Sequence, residues 1–261
     1  MEPLGSTTGV WKTVAGISIL IEPWLSNGWG VPPDWRPSNL FIAGRSAVKY
    51  LLATLCIMTS SLMGNGIGRA AEPDQRVRLF DGQTLTGWEG SREAFRVEDG
   101  AIVGGSLKAA VRRNEFLSTK NEYGDFELRL KFKVLGEGAN AGVQIRSQRI
   151  PDHYEMIGYQ ADLGDGWWGC LYDESRRRKV LAGPSAEQRG RNVKRGDWNE
   201  YLIRCEGPQI QLWINGEQTV DYTEADPAIP QKGLIAVQIH GGPPSEAWYK
   251  DIEIRVLPSS K

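Results

Sequence analysis

Histidine is scarce in this chain: only His153 and His240 occur in 261 residues. A site built on several imidazoles, such as a multi-histidine zinc centre or an H-E-x-x-H helix, is thereby excluded. The G-x-x-x-x-G-K-[ST], G-x-S-x-G and C-x-x-C patterns are also missing. Their absence removes the P-loop nucleotide hydrolases, the α/β-hydrolases and the zinc ribbons. Neither sign of charge is in excess, since the formal net charge is -1. Such a chain has no general pull towards nucleic acid or anionic membrane. No apolar run reaches the roughly 20 residues that a membrane-spanning helix needs. Downstream of residue 70 no helical period is sustained over three turns.

Turn formers and bulky aromatics, by contrast, are plentiful: Gly 31, Pro 14 and Trp 10. That balance favours an all-β chain. Residues 1–44 show no sustained period and are expected to be an unstructured or mis-started extension. Arg45 and Lys49 then precede a short apolar stretch, Tyr50 to Gly64, followed by Gly68 and Ala70 at small-x-small spacing. These are the parts of a secretory signal peptide over 45–70, which places the remaining domain, 71–261, in a secreted or periplasmic setting. Cys56 lies in the leader. Cys170 and Cys205 fall within strand-like runs and are expected to be free, packed thiols, although export permits a disulfide.

Within 71–261 the alternation of apolar and polar residues predicts ten to twelve short strands. Phe126, Leu128, Leu130, Phe132 and Val134 alternate with Glu127, Arg129, Lys131 and Lys133, so one face is core and the other solvated. Asp99-Gly100 and Asn215-Gly216 predict two-residue hairpins, because a type I′ turn needs positive φ at both central positions. The pattern implies a jelly-roll β-sandwich with one concave polar sheet.

Residues i and i+2 of a strand share a face. Gln144 with Arg146, Gln160 with Asp162, Tyr172 with Glu174, and Gln238 with His240 therefore form a candidate polar floor. Imidazole suits general-base work at neutral pH, which singles out His240. Glu155 and Asp162 are the candidate carboxylates. They lie seven apart, on opposite faces of an unbroken strand, so both reach the floor only if Gly158 marks a bulge. Trp168 and Trp213 are candidate sugar-stacking platforms. The basic run from Arg176 to Arg195 reads as a solvated loop or a grip for an anionic sugar rather than a nucleic-acid site.

Several segments in this order carry a resemblance: LFDGQTLTGW, FRVEDGAI, LSTKNEYGDFELRLKFK, NAGVQIRS, GYQADLGDGWWGCLYDE, GDWNEYLIRCEG, IQLWING and LIAVQIHGG. Together they resemble the 3-keto-disaccharide hydrolase domain family over Leu79 to Leu257. The resemblance implies a concanavalin A-like jelly roll and a glycoside site on the polar floor. It departs at Asn140-Ala141-Gly142-Val143, where Ala replaces Ser, and at Gln160-Ala161-Asp162, which stands in place of Glu-x-Gln. The implied substrate is a 3-keto-glycoside, cleaved by C2 deprotonation, elimination and hydration. His240 or Asp162 would be the base, Arg146 with Gln144 the enolate stabiliser, and Tyr172 the donor to the leaving group. Gln160, Glu155, Glu174, Trp168, Trp213 and Gln238 would bind substrate. No cofactor is required by this chemistry; a divalent ion on Asp162, Glu155 and His240 would be an alternative to Arg146. A non-catalytic carbohydrate-binding module is the rival reading.

Overall fold

The computed structural model describes residues 10–14, 17–21 and 76–258. Strands β1 (Val10–Val14) and β2 (Ile17–Ile21) pair as an antiparallel hairpin in the first of two compact units. The signal peptide expected at 45–70 lies outside the described residues.

The second unit is all-β among its described residues, with two antiparallel sheets. The eight-stranded sheet is built from β5 (Phe95–Glu98), β6 (Ala101–Ser106), β8 (Phe126–Leu135), β13 (Asn199–Glu206), β14 (Gln209–Ile214), β15 (Glu217–Thr223) and β17 (Ser245–Val256), with β3 (Val77–Arg78) paired to β17. The seven-stranded sheet runs β12 (Val180–Ala182), β11 (Leu171–Glu174), β10 (Met156–Gly164), β9 (Asn140–Arg149), β16 (Gly233–Ile239), β7 (Glu115–Tyr123), β4 (Trp88–Glu89).

Both expected hairpin turns form, with φ of 47° and 72° at Asp99-Gly100 and 50° and 83° at Asn215-Gly216. The core between the sheets takes Phe126, Leu128, Leu130 and Phe132 from β8 and Val143, Ile145, Tyr159, Ala161 and Val237 from the other sheet. Cys170 and Cys205 are buried and free. Tyr249 crosses from β17, and its hydroxyl reaches the carbonyls of Gln238 at 2.6 Å and Gly142 at 3.2 Å. The central strands of the seven-stranded sheet are thus tied from below.

One irregularity decides where the side chains of β9 point. Gln144 pairs with Gln160 and Ala236, but Gln148 pairs with Ile157 and Ser147 with Leu234. Arg146 and Ser147 together face the single residue Gly158, and Arg146 has φ 47°. Arg146 is therefore the extra residue of a β-bulge, and it inverts the alternation downstream of itself. Ser147, not Arg146, follows Gln144 on the outer face.

Part of the basic run is tied into the fold, while Arg178, Lys179, Arg191 and Lys194 are exposed. Arg177 pairs with Asp173 and Glu224, Arg176 with Asp173, and Arg195 with Asp165. Among the described residues, no helix is long and apolar enough to cross a membrane.

Candidate active site

The outer face of the seven-stranded sheet carries the polar floor. One row across it reads Tyr172, Gln160, Gln144 and Ala236; the next reads Asp162, Gly142, Gln238 and Phe116. His240 follows β16, with its backbone N–H bonded to the carbonyl of Asn140. A cavity of about 170 Å³ opens over these rows, lined by Asn114, Asn140, Gln160, Asp162, Trp167, Tyr172, Glu174 and His240.

The imidazole is oriented by its own turn. Nδ1 of His240 lies 2.7 Å from the carbonyl oxygen of Gly241, so Nδ1 carries the proton and donates it there. Nε2 is left as the acceptor. Gly241 in turn donates its N–H to Oδ1 of Asn114, whose Nδ2 donates to Glu155 at 3.0 Å. Asn114 thereby joins the histidine turn to a carboxylate that arrives from the loop before β10. Asn114 was not singled out in the sequence, where no periodicity marks a residue lying just before its strand.

Three carboxyl groups gather here, and burial raises the proton affinity of each. Asp162 is 3% exposed, and desolvation pushes its pKa up to about 8, with nearby Glu174 adding to the rise and the amide of Gln160 opposing it. Glu174 is raised by burial and then by the charge of Glu155. Burial likewise raises Glu155, with Asn114, His153, His240 and Arg178 acting against it.

Buried polar atoms without a hydrogen-bond partner cluster in the same region: Oδ1 of Asn140, Oε2 of Glu155, and both amide atoms of Gln238. Such atoms are costly unless a bound molecule meets them. Trp167 stands at the mouth, 37% exposed, its ring edge-on to Tyr172 at 5.9 Å. A small cavity with convergent polar groups and one aromatic wall fits a hydroxyl-rich ligand.

Comparison with known proteins gives the family. The model of the 3-keto-alpha-glucoside-1,2-lyase-like domain matches residues 75–255. The chain belongs to that family. Among curated proteins, none matches this sequence. Two solved structures of a proposed glycosyl hydrolase from Parabacteroides distasonis ATCC 8503 share 21% and 23% identity with it, both at a TM-score of 0.53. Each covers 70% of this chain, and 94% and 100% of its own. The carbohydrate-binding module CBM66 from Bacillus subtilis is 13% identical at a TM-score of 0.50, covering 64% of this chain and 94% of its own. At such identities the likeness is one of fold. Family and fold together make this a carbohydrate-related protein.

Three expected site residues of the lyase-like domain stand elsewhere. Arg146 is withdrawn from the floor by its bulge: its guanidinium pairs with Asp125 at 2.9 Å and donates to the carbonyls of Gly124 and Gly207. It fastens two turns and cannot polarise a substrate. Trp168 is 6% exposed and stacks on Phe132, with its indole N–H given to Asp165, because the adjacent Trp167 takes the outward position. Trp213 is half-buried but belongs to β14 of the other sheet, where it lines a groove with Arg129, Lys131 and Glu200. Strand alternation turns it outward, as the burial along β14 shows, but alternation does not say which sheet a strand joins.

Glu155 reaches the site, though not through a bulged residue at Gly158. It sits in the loop ahead of β10, where strand alternation does not apply. Among the described residues, no group of three His, Cys, Asp or Glu side chains comes close enough to hold a metal ion. Asp162, Glu155 and His240 do not form such a group.

Proposed function

We propose that the protein is an exported enzyme that cleaves 3-keto-glycosides at this cavity by elimination. The observation that carries the reading is the free Nε2 of His240 set among protonatable carboxyls and unpartnered buried amides. A ketone at C3 of a sugar acidifies the hydrogen at C2. Nε2 of His240 takes that proton, and the electron pair left at C2 delocalises onto the C3 oxygen as an enolate. The Asp162 acid, protonated at neutral pH, donates a hydrogen bond to that oxygen as charge builds, the part once expected of Arg146. When the enolate collapses, the C1–O bond breaks and Tyr172 supplies a proton to the departing oxygen. The products are an unsaturated keto-sugar and an alcohol. Addition of water across the new double bond completes a net hydrolysis.

This route needs no carboxylate pair spanning the scissile bond, which ordinary glycosidases require. The family description, a 1,2-lyase acting on a 3-keto-α-glucoside, supports the eliminative step. The likeness to CBM66 favours a second reading, a module that binds sugar without cleaving it.

One experiment separates them. The purified domain is incubated with a 3-keto-glucoside and with its unoxidised parent, and aglycone release is measured. Release from the keto-sugar alone, lost by a factor of at least about 10² in His240→Ala, is the expected outcome. Binding without release, unchanged in His240→Ala but lost in Trp167→Ala, would establish the module instead.

A further inference from the structure

Asp162 does not stand alone in the floor. Nε2 of Gln160 donates to its Oδ1 at 2.5 Å. Oε1 of Gln160 accepts from Nε2 of Gln144 at 2.7 Å, and Oε1 of Gln144 accepts from the hydroxyl of Ser147 at 2.7 Å. Every member of this line is nearly or wholly buried. The Ser147 hydroxyl also has the carbonyls of Ile145 at 3.0 Å and Tyr159 at 3.2 Å in reach, but its shortest contact is to Gln144; with its proton there, that amide presents its N–H₂ to Gln160. Gln160 must then present its own N–H₂ to Asp162.

The fold makes three concessions to this line. The bulge at Arg146 brings Ser147 onto the same face as Gln144. Gly142 leaves room for the Gln160 side chain, since a Cβ there would lie 2.7 Å from its Cγ and Cδ. Gly158 does the same for Ser147, whose Oγ would lie 2.3 Å from an added Cβ. Stability alone gives no reason to seat four polar side chains in a buried row and then clear space on both flanks for them.

We propose that Ser147, Gln144 and Gln160 are positioning residues that hold the Asp162 carboxylic acid with its proton on Oδ2, turned to the cavity. With Oδ1 engaged as an acceptor, the acid's proton must reside on the other oxygen. The relay sets which oxygen donates and in what direction, without touching the substrate at Ser147 or Gln144. From the function above this proposal takes only the role of Asp162 as donor. The other titratable groups around Asp162 are Glu174 and Tyr172 on β11, Cys170 ahead of it, and the buried hydroxyl of Tyr201 from the opposite sheet. None of them supplies a hydrogen bond to Oδ1.

The test reads the carboxyl directly. Protein labelled with ¹³C at aspartate carboxyls is titrated by NMR, with Asp162→Asn used to assign the resonance. In Gln160→Leu the Asp162 carboxyl is expected to titrate about one pH unit higher than in the native protein, the equivalent of one lost hydrogen bond, and in Gln144→Leu, which frees the Gln160 amide to turn, to move the same way by less. Turnover gives a second readout: each variant lowers kcat by about tenfold with KM little changed, and adds no further loss in an Asp162→Asn background. Should Gln160→Leu fail to fold, Gln144→Leu and Ser147→Ala carry the same direction of shift from outside the cavity. An Asp162 titration that is identical in native protein and variants overturns the relay. So do losses of kcat that persist undiminished when Asp162 is already Asn. If no keto-glycoside is turned over at all, the proposed function fails, while the relay still stands or falls on the NMR titration.

Discussion

Asp162 carries a pH dependence that can be separated from catalysis. Its carboxyl keeps its proton to about pH 8 in the folded chain, whereas an unfolded aspartate releases it near pH ~3.9. Between those values the native state binds more protons than the unfolded one, so stability falls as pH rises through that window and levels off above it. Asp162→Asn cannot ionise and removes this slope. Melting temperatures recorded from pH 4 to 9 should therefore show the native protein losing ground to the variant as pH increases. Glu155 and Glu174, also raised by burial, leave a residual slope of the same sign. Parallel curves for the two proteins would refute the assignment. In the sequence, Asp162 was visible as a floor residue through its spacing from Gln160. Its protonated state was not, because that depends on how completely neighbouring strands and loops exclude water.

At the level of the strand, the pleat told which residues share a face only while the pleat was unbroken. It held along β10, β11 and β16, so Gln160, Asp162, Tyr172, Glu174 and Gln238 are where the alternation puts them. On β9 it failed after Gln144, since a bulge at a non-glycine residue leaves little signature in a single sequence. The glycine that could have signalled the irregularity, Gly158, sits on the neighbouring strand opposite the bulge. With φ of 145° and Ser147 pressed against it, that position does not accept a side chain. Gly158→Ala is expected to cost about 1–3 kcal/mol, read as a lower urea midpoint. A midpoint equal to that of the native protein would show that the contact is not tight.

For the molecule as a whole, strand count, turn chemistry and the two-layer architecture were legible, because hairpin turns and alternation are local properties. Sheet membership was not, as Trp213 shows: it faces outward from the layer opposite the site. What joins the layers also lay beyond sequence reading. Arg146, with its side chain 1% exposed, holds Asp125 and the turns at Gly124 and Gly207. Arg146→Ala removes this ion pair and both carbonyl bonds and should cost on the order of 3 kcal/mol in denaturant unfolding. A loss below about 1 kcal/mol would place the fastening elsewhere.

The extra residue in β9 also divides the strand into two tenants of one lease. The inserted residue itself writes the brace, while Gln144 before it and Ser147 after it both serve the line that ends at Asp162. Cavity and brace are thus written by neighbouring residues of one strand whose side chains leave on opposite faces.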